Sequence, residues 1–175
     1  MILNDKKIKH LLEQGLMKLD PYQSESLSPA SYDLAIGGFQ SINMKDQHPN
    51  DCLQREGEVE ILPGESFLAS TIEIIGLPNT VTGTVANKSS TGRRGLFLAS
   101  PGWIDPGFIG QLTIAMKNES MKPLVIKYGQ KLWQIVFAEC EPAEQSYTGH
   151  YQNSEGIVLD KTDQEVSEEL ANKLG

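Results

Sequence analysis

Apolar residues at Ile8, Leu11 and Leu12 recur at helical spacing among charged positions, and predict a short amphipathic helix over residues 5–14. Asn4 or Asp5 can cap it and Gly15 can end it. From there to about residue 140 the period changes. Short apolar or alternating runs, closed by glycine, proline or polar turn residues, predict strands at Ser31–Ile36, Phe39–Met44, Val59–Leu62, Ser66–Ile75, Val81–Asn87, Leu96–Ala99, Gln111–Asn118, Leu124–Ile126 and Lys131–Ala138. Many short strands with frequent turns favour a barrel or jelly-roll-like sandwich over alternating α/β units. The polar stretch Met44–Gly57, with Pro49-Asn50-Asp51 inside it, predicts a surface excursion. Tyr147–Gly156 has no periodicity and reads as a loop or flexible arm. Thr162-Asp163-Gln164-Glu165 fits a capping box, and Val166 and Leu170 repeat at helical spacing in a run ending at Gly175. The expected layout is one mainly β domain: an N-terminal helix over 1–15, a β core over 16–140, and an arm and helix over 141–175.

Composition narrows the class. A hydrophobic fraction of 39% and a charged fraction of 22% fit a globular domain. No apolar stretch approaches spanning length, and the opening Asn4-Asp5-Lys6-Lys7 is unlike a signal peptide, so a soluble cytoplasmic protein without membrane contact is expected. A net charge of -8 argues against nonspecific binding of nucleic acid, although a small polyanion can still find a local basic pocket. Cys52 and Cys140 are far apart and expected to be free thiols. His10, His48 and His150 are scattered, and the His-x-Glu plus Cys-x-x-Cys arrangement of zinc deaminases is missing.

The densest chemistry lies between two apolar runs. Lys88, Arg93 and Arg94 surround Ser89, Ser90 and Thr91, with Gly92 and Gly95 allowing close backbone approach. Phosphate oxygens need such cations, hydroxyls and N–H groups, and an ordinary polar turn with solvated cations is the equal alternative. The spacing is not that of a P-loop. Asp105, in Ile104-Asp105-Pro106-Gly107, can orient a water as general base or satisfy its own turn. Phe108 suits stacking on a sugar or base, or plugging a core. Asp33 suits a Mg²⁺-bound water or a strand end. Gln134 is a polar side chain inside the apolar run Leu132–Phe137. For His150 and Tyr151, exposure in the tail is the simplest expectation.

Four segments in order resemble the motifs of the dCTP deaminase and dUTPase superfamily: Ser28-Pro29-Ala30-Ser31-Tyr32-Asp33-Leu34, Lys88-Ser89-Ser90-Thr91-Gly92-Arg93, Gly102-Trp103-Ile104-Asp105-Pro106-Gly107-Phe108-Ile109-Gly110-Gln111 and Gly129-Gln130-Lys131-Leu132-Trp133-Gln134-Ile135-Val136-Phe137. Length and the N-terminal helix resemble the dCTP deaminase branch, including its bifunctional members. The resemblance implies a distorted jelly-roll β-barrel of the dUTPase-like type, a homotrimer with active sites at subunit interfaces, and a pyrimidine deoxynucleoside triphosphate as ligand. It implies Asp105 as the acid that orients water. Lys88, Ser89, Ser90, Arg93, Ile104, Phe108, Gln111, Gln134 and Tyr151 become nucleotide contacts, and Asp33 lies near a Mg²⁺ cofactor.

The departures from that pattern bear on the reaction. Deaminases of the family carry a proton-shuttling glutamate ten residues after the matching aspartate, and here that place is Ala115. Lys88 stands where arginine is usual, and Pro101 where alanine is common. His150 and Ser154 stand where the arm usually offers lysine and glutamine, and the glycine-rich C-terminal arm of dUTPases is absent. A methyl group cannot carry a proton. The sequence therefore predicts dUTP diphosphatase activity first, with dCTP deamination, or a silent nucleotide-binding homologue, as alternatives.

Overall fold

The structure, a computed structural model, describes residues 1–42, 57–99 and 102–159. The expected excursion after Met44, the expected C-terminal helix, Cys52, His48 and Pro101 lie outside those residues. The described chain forms α1 (Asp5–Glu13), β1 (Lys18–Asp20), β2 (Leu27–Ser28), β3 (Ser31–Ser41), β4 (Glu58–Ile61), β5 (Ser66–Gly76), β6 (Val81–Asn87), α2 (Ser89–Arg93), β7 (Leu96–Leu98), β8 (Gly102–Ile104), β9 (Ile109–Asn118), β10 (Leu124–Lys127) and β11 (Lys131–Glu139). The mainly β jelly-roll-like fold expected from the sequence is the one found.

Every strand pair is antiparallel. One curled sheet runs β7-β9-β5-β3-β11-β6-β8, with β1 added on β5 and β2 on β3, while β4 and β10 form a separate pair. Its inner face buries Tyr32, Leu34, Ile36, Phe67, Met116, Trp133 and Phe137. Trp133 is fully buried, and its indole N–H donates to Met116 Sδ at 3.1 Å, so no polar atom of the ring is stranded. Helix α1 covers this core with Ile8 and Leu11. Its cap is Asn4, whose side-chain oxygen accepts the Lys7 N–H at 3.0 Å.

The two strands expected at Ser31–Ile36 and Phe39–Met44 are one. Strand β3 runs through Gly37-Gly38 with a bulge against β5, between Ile36 and Gly38. A Cβ on Gly38 would sit 2.6 Å from Ser70 Oγ, so these glycines mark close strand approach and not a turn. The serine-rich motif forms the helical turn α2, and Thr91 pins it by donating to Leu132 O at 2.8 Å.

Glu73 on β5 is 2% exposed, and both its carboxylate oxygens accept the Ala35 N–H, at 3.1 and 3.3 Å. Burial pushes its carboxyl above the usual carboxylate range, a rise the Ala35 N–H, its own backbone and Lys131 only partly offset. The folded protein thus holds this proton more tightly than the unfolded chain. Glu73 contributes a penalty that is absent below the unfolded pKa and grows as pH rises towards the folded one. Glu73→Gln keeps an acceptor for Ala35 and removes the charge, so thermal melts should show a higher Tm than wild type at pH 8. The gap should close in acid. An equal Tm difference at both pH values would contradict the assignment.

Candidate functional site

The turn after β8 sets the acid. Ile104 O accepts from Thr82 Oγ1 at 2.8 Å, and the Phe108 N–H reaches Asp105 O at 3.2 Å, so the backbone on both sides of Asp105 is pinned. Its carboxylate stands on the rim of a cavity of about 400 Å³, lined by Trp103, Phe108, Ala115 and, from the arm, Tyr147, Tyr151 and Val158 among others. Phe108 is 6% exposed and meets Tyr147 edge-on, with ring centroids 5.8 Å apart. Strand alternation places Gln111, Thr113 and Ala115 on the cavity side of β9 while Ile114 and Met116 enter the core. Ala115 faces Leu68 across the β5–β9 ladder, so this wall is apolar and holds no proton carrier.

The arm that roofs the cavity is built into the sheet. Gly110 and Ser154 form a parallel bridge, the Gln111 N–H donates to Ser154 O at 2.8 Å, and Ser154 Oγ donates to Gln111 O at 2.6 Å. Gln152 spans both directions, donating to Gly107 O and accepting from the Ile109 N–H, each at 2.9 Å. Gly107 and Gly110 have φ values of 84° and 154°, and a Cβ on either would lie 2.6 Å from Ser146 Cβ or Ser154 Oγ. Both positions need glycine for the arm to dock. Gln152 and Ser154, the latter standing where the arm usually offers glutamine, therefore act as structural staples. Only their long-range partners reveal it.

Gln111 lines the cavity, yet its side chain is committed. Nε2 donates to Ile72 O at 3.0 Å and Oε1 accepts the Gly156 N–H at 2.6 Å. In one chain Gln111, expected as a nucleotide contact, ties the strand to the arm. Ile104 and Phe108 line the cavity, both buried, and Tyr151 lines it with 41% of its surface exposed. His150 is exposed as expected.

The cations gather elsewhere. Lys88, at the N-terminal end of α2, makes an ion pair with Asp33 through Nζ and Oδ2. Gln134 pairs with Asp33 on β3 and with Ala86 on β6, placing Asp33, Gln134 and Lys88 on one sheet face. Ser89, Ser90 and Arg93 stand exposed on α2 beside them. Asp33, expected near a Mg²⁺, makes this ion pair with Lys88. Among the described residues no group of three or more His, Cys, Asp or Glu is placed to hold a metal, so they offer Mg²⁺ no complete all-protein site.

Within one chain these two groups do not meet. Ile104 opposes Gly83 on β6, and Lys88 follows the other end of that strand, five residues on. At about 3.3 Å per residue the acid and the cations are about 17 Å apart along β6. Among the described residues the cavity lining carries one carboxylate and no lysine or arginine.

A family model described as dCTP deaminase-like matches residues 2–140. A dCTP deaminase, dUMP-forming, from Aquifex aeolicus is 36% identical over 167 residues, covering 90% of this chain and 93% of its own. A dCTP deaminase from Thermococcus kodakarensis is 40% identical over 163 residues, covering 92% and 98%. The crystal structure of a dCTP deaminase from Agrobacterium tumefaciens shares the fold at a TM-score of 0.64 and 23% identity, over 78% of this chain and 47% of that one. A mutant dUTPase from phage phi11 of Staphylococcus aureus, described with a structural Mg(II) ion, shares it at a TM-score of 0.52 and 17% identity, over 75% and 95%.

Proposed function

The chain belongs to the dCTP deaminase-like family, and on that premise we propose that it hydrolyses a pyrimidine deoxynucleoside triphosphate, with dCTP as the substrate. The support for dCTP over dUTP is that relatives matching nearly the whole chain are named for it. This reverses the order that the motifs alone predict. Asp105 Oδ1 is held by the Trp103 indole N–H, which leaves Oδ2 to hold a water in the cavity. That water attacks C4 of the cytosine ring as its proton passes to the carboxylate. The C4–N4 bond then breaks as the carboxylate returns that proton to the amino group, which leaves as ammonia, while the remaining hydroxyl proton passes to N3, giving the C4 carbonyl and N3–H of dUTP. Release of diphosphate to give dUMP is a second hydrolysis at the α-phosphorus, as the dUMP-forming names of some relatives describe for those proteins.

One observation carries the architecture of the site: among the described residues the cavity has an acid and no cation, while Lys88 and Arg93 sit at the far end of β6. A triphosphate cannot be held against a carboxylate without opposite charge. A second copy of the chain therefore supplies Lys88, Ser89, Ser90 and Arg93 to the cavity of the first, in a homotrimer. Magnesium enters with the triphosphate. Ala115 favours a second reading, diphosphate release without deamination, because the cavity wall offers no proton shuttle at that place.

Ligand selectivity tests the proposal. At about 100-fold excess over Kd, dCTP with Mg²⁺ should raise Tm by about 5–10 °C, and ATP should leave it unchanged. Equal shifts with dCTP and ATP, or none with any pyrimidine nucleotide, would overturn it.

A further inference from the structure

Trp103 is a large aromatic side chain left 63% exposed on a three-residue strand, and core packing does not explain it. Its neighbour Ile104, 4% exposed, supplies the buried contact of β8. Trp103 and Asp105 are two residues apart on an extended segment and so project to the same side, both onto the cavity rim. The indole Nε1–H donates to Asp105 Oδ1 at 3.1 Å. The backbone around Asp105 is fixed by Thr82 and by the turn to Phe108, but neither contact sets the rotation of the carboxylate. Asp105 is itself exposed, and the Trp103 bond is the side-chain hydrogen bond it makes.

We infer that Trp103 is a positioning residue: its indole N–H locks the Asp105 carboxylate in the orientation that presents Oδ2 to the water in the cavity. The inference rests on the reading of Asp105 as the acid that holds the attacking water. A carboxylate with one oxygen tethered has one lone-pair face to offer the solvent and keeps it aimed at the cavity. An untethered one rotates about its last torsion, which is broad and twofold, and spends part of its time misaimed. Misplacement of a water-holding group is felt in the transition state more than in ground-state binding. The effect therefore falls on kcat and spares KM.

Within one chain Trp103 covers little buried surface, and the size of each variant in solution checks that the subunit contact beside the cavity is kept. Trp103→Phe keeps an aromatic ring and removes the donor. Trp103→His restores a donor, because imidazole Nε2 occupies the place of indole Nε1 in the five-membered ring. The assay follows whichever of ammonia and diphosphate the wild type releases from dCTP. Trp103→Phe should lower kcat roughly tenfold, the scale of a partly solvated hydrogen bond to a charged group, with KM and Tm near wild type. Trp103→His should recover most of the loss. Wild-type kcat in Trp103→Phe, or a Trp103→His variant no better than Trp103→Phe, would overturn the inference. Asp105→Asn, run alongside, separates the two ideas. If it is inactive while Trp103→Phe is normal, the positioning role alone fails. If it turns over like wild type, the reading of Asp105 itself fails.

Discussion

Ala115→Glu is expected to raise ammonia release from dCTP by about 10²–10⁴-fold, the usual contribution of a placed general acid–base group. The side chain at 115 lines the cavity from β9, with Leu68 opposite on β5. A cavity of about 400 Å³ has room for the four further heavy atoms, Cγ, Cδ and two oxygens, of a glutamate. The new carboxylate would share the cavity with Asp105, and this like-charge pairing favours holding a proton on one of the two. A group that holds and returns a proton is what C4 attack requires and what the methyl group cannot supply. Ala115→Gln is the control of equal size without proton transfer, and should not gain. A coupled assay of ammonia on wild type and both variants gives the answer. Equal rates for Ala115→Glu and Ala115→Gln would mean that deamination does not take place at this wall.

The second large effect is on subunit mixing. Asp105→Asn removes the acid from one half of the site and Arg93→Ala weakens the phosphate contacts of the other. Each variant alone should lose turnover, the first on the order of 10³-fold. Refolded together from a mixture, the two should recover activity, because some cavities then combine an intact Asp105 with an intact α2 from another copy. A site closed within one chain would give no recovery at any mixing ratio. The separation of the two halves by the length of β6 is the structural reason for expecting recovery.

The sequence carried the local features well. Strand β6 has the boundaries its apolar alternation predicts, and the buried positions of β9 and β11 follow theirs. Three strands were missed. Lys18–Asp20, Leu27–Ser28 and Gly102–Ile104 are too short to show a period, and pairing with β5, β3 and β6 makes them strands. Gly37-Gly38 read as a break because composition cannot distinguish a turn from a bulge where two backbones approach. In the site, one short motif places Asp105, Ile104 and Phe108 along the same cavity. The ties that Gln111 and Asp33 make were not legible. Their partners lie 39 to 45 and 55 residues away, at Ile72, Gly156 and Lys88, and no local pattern announces such contacts. The glycines at 107 and 110 looked like turn residues, and their use in seating the arm shows only once Ser146 and Ser154 are placed against them.

The most direct measurement is the balance of products when the wild-type protein is incubated with dCTP and Mg²⁺, with ammonia, diphosphate and the nucleotide quantified from the same sample. The account predicts loss of dCTP with one ammonia per uracil nucleotide formed, as dUTP or as dUMP with matching diphosphate, at a rate well below that of the Ala115→Glu variant. Intact dCTP beside efficient conversion of dUTP to dUMP and diphosphate would contradict it.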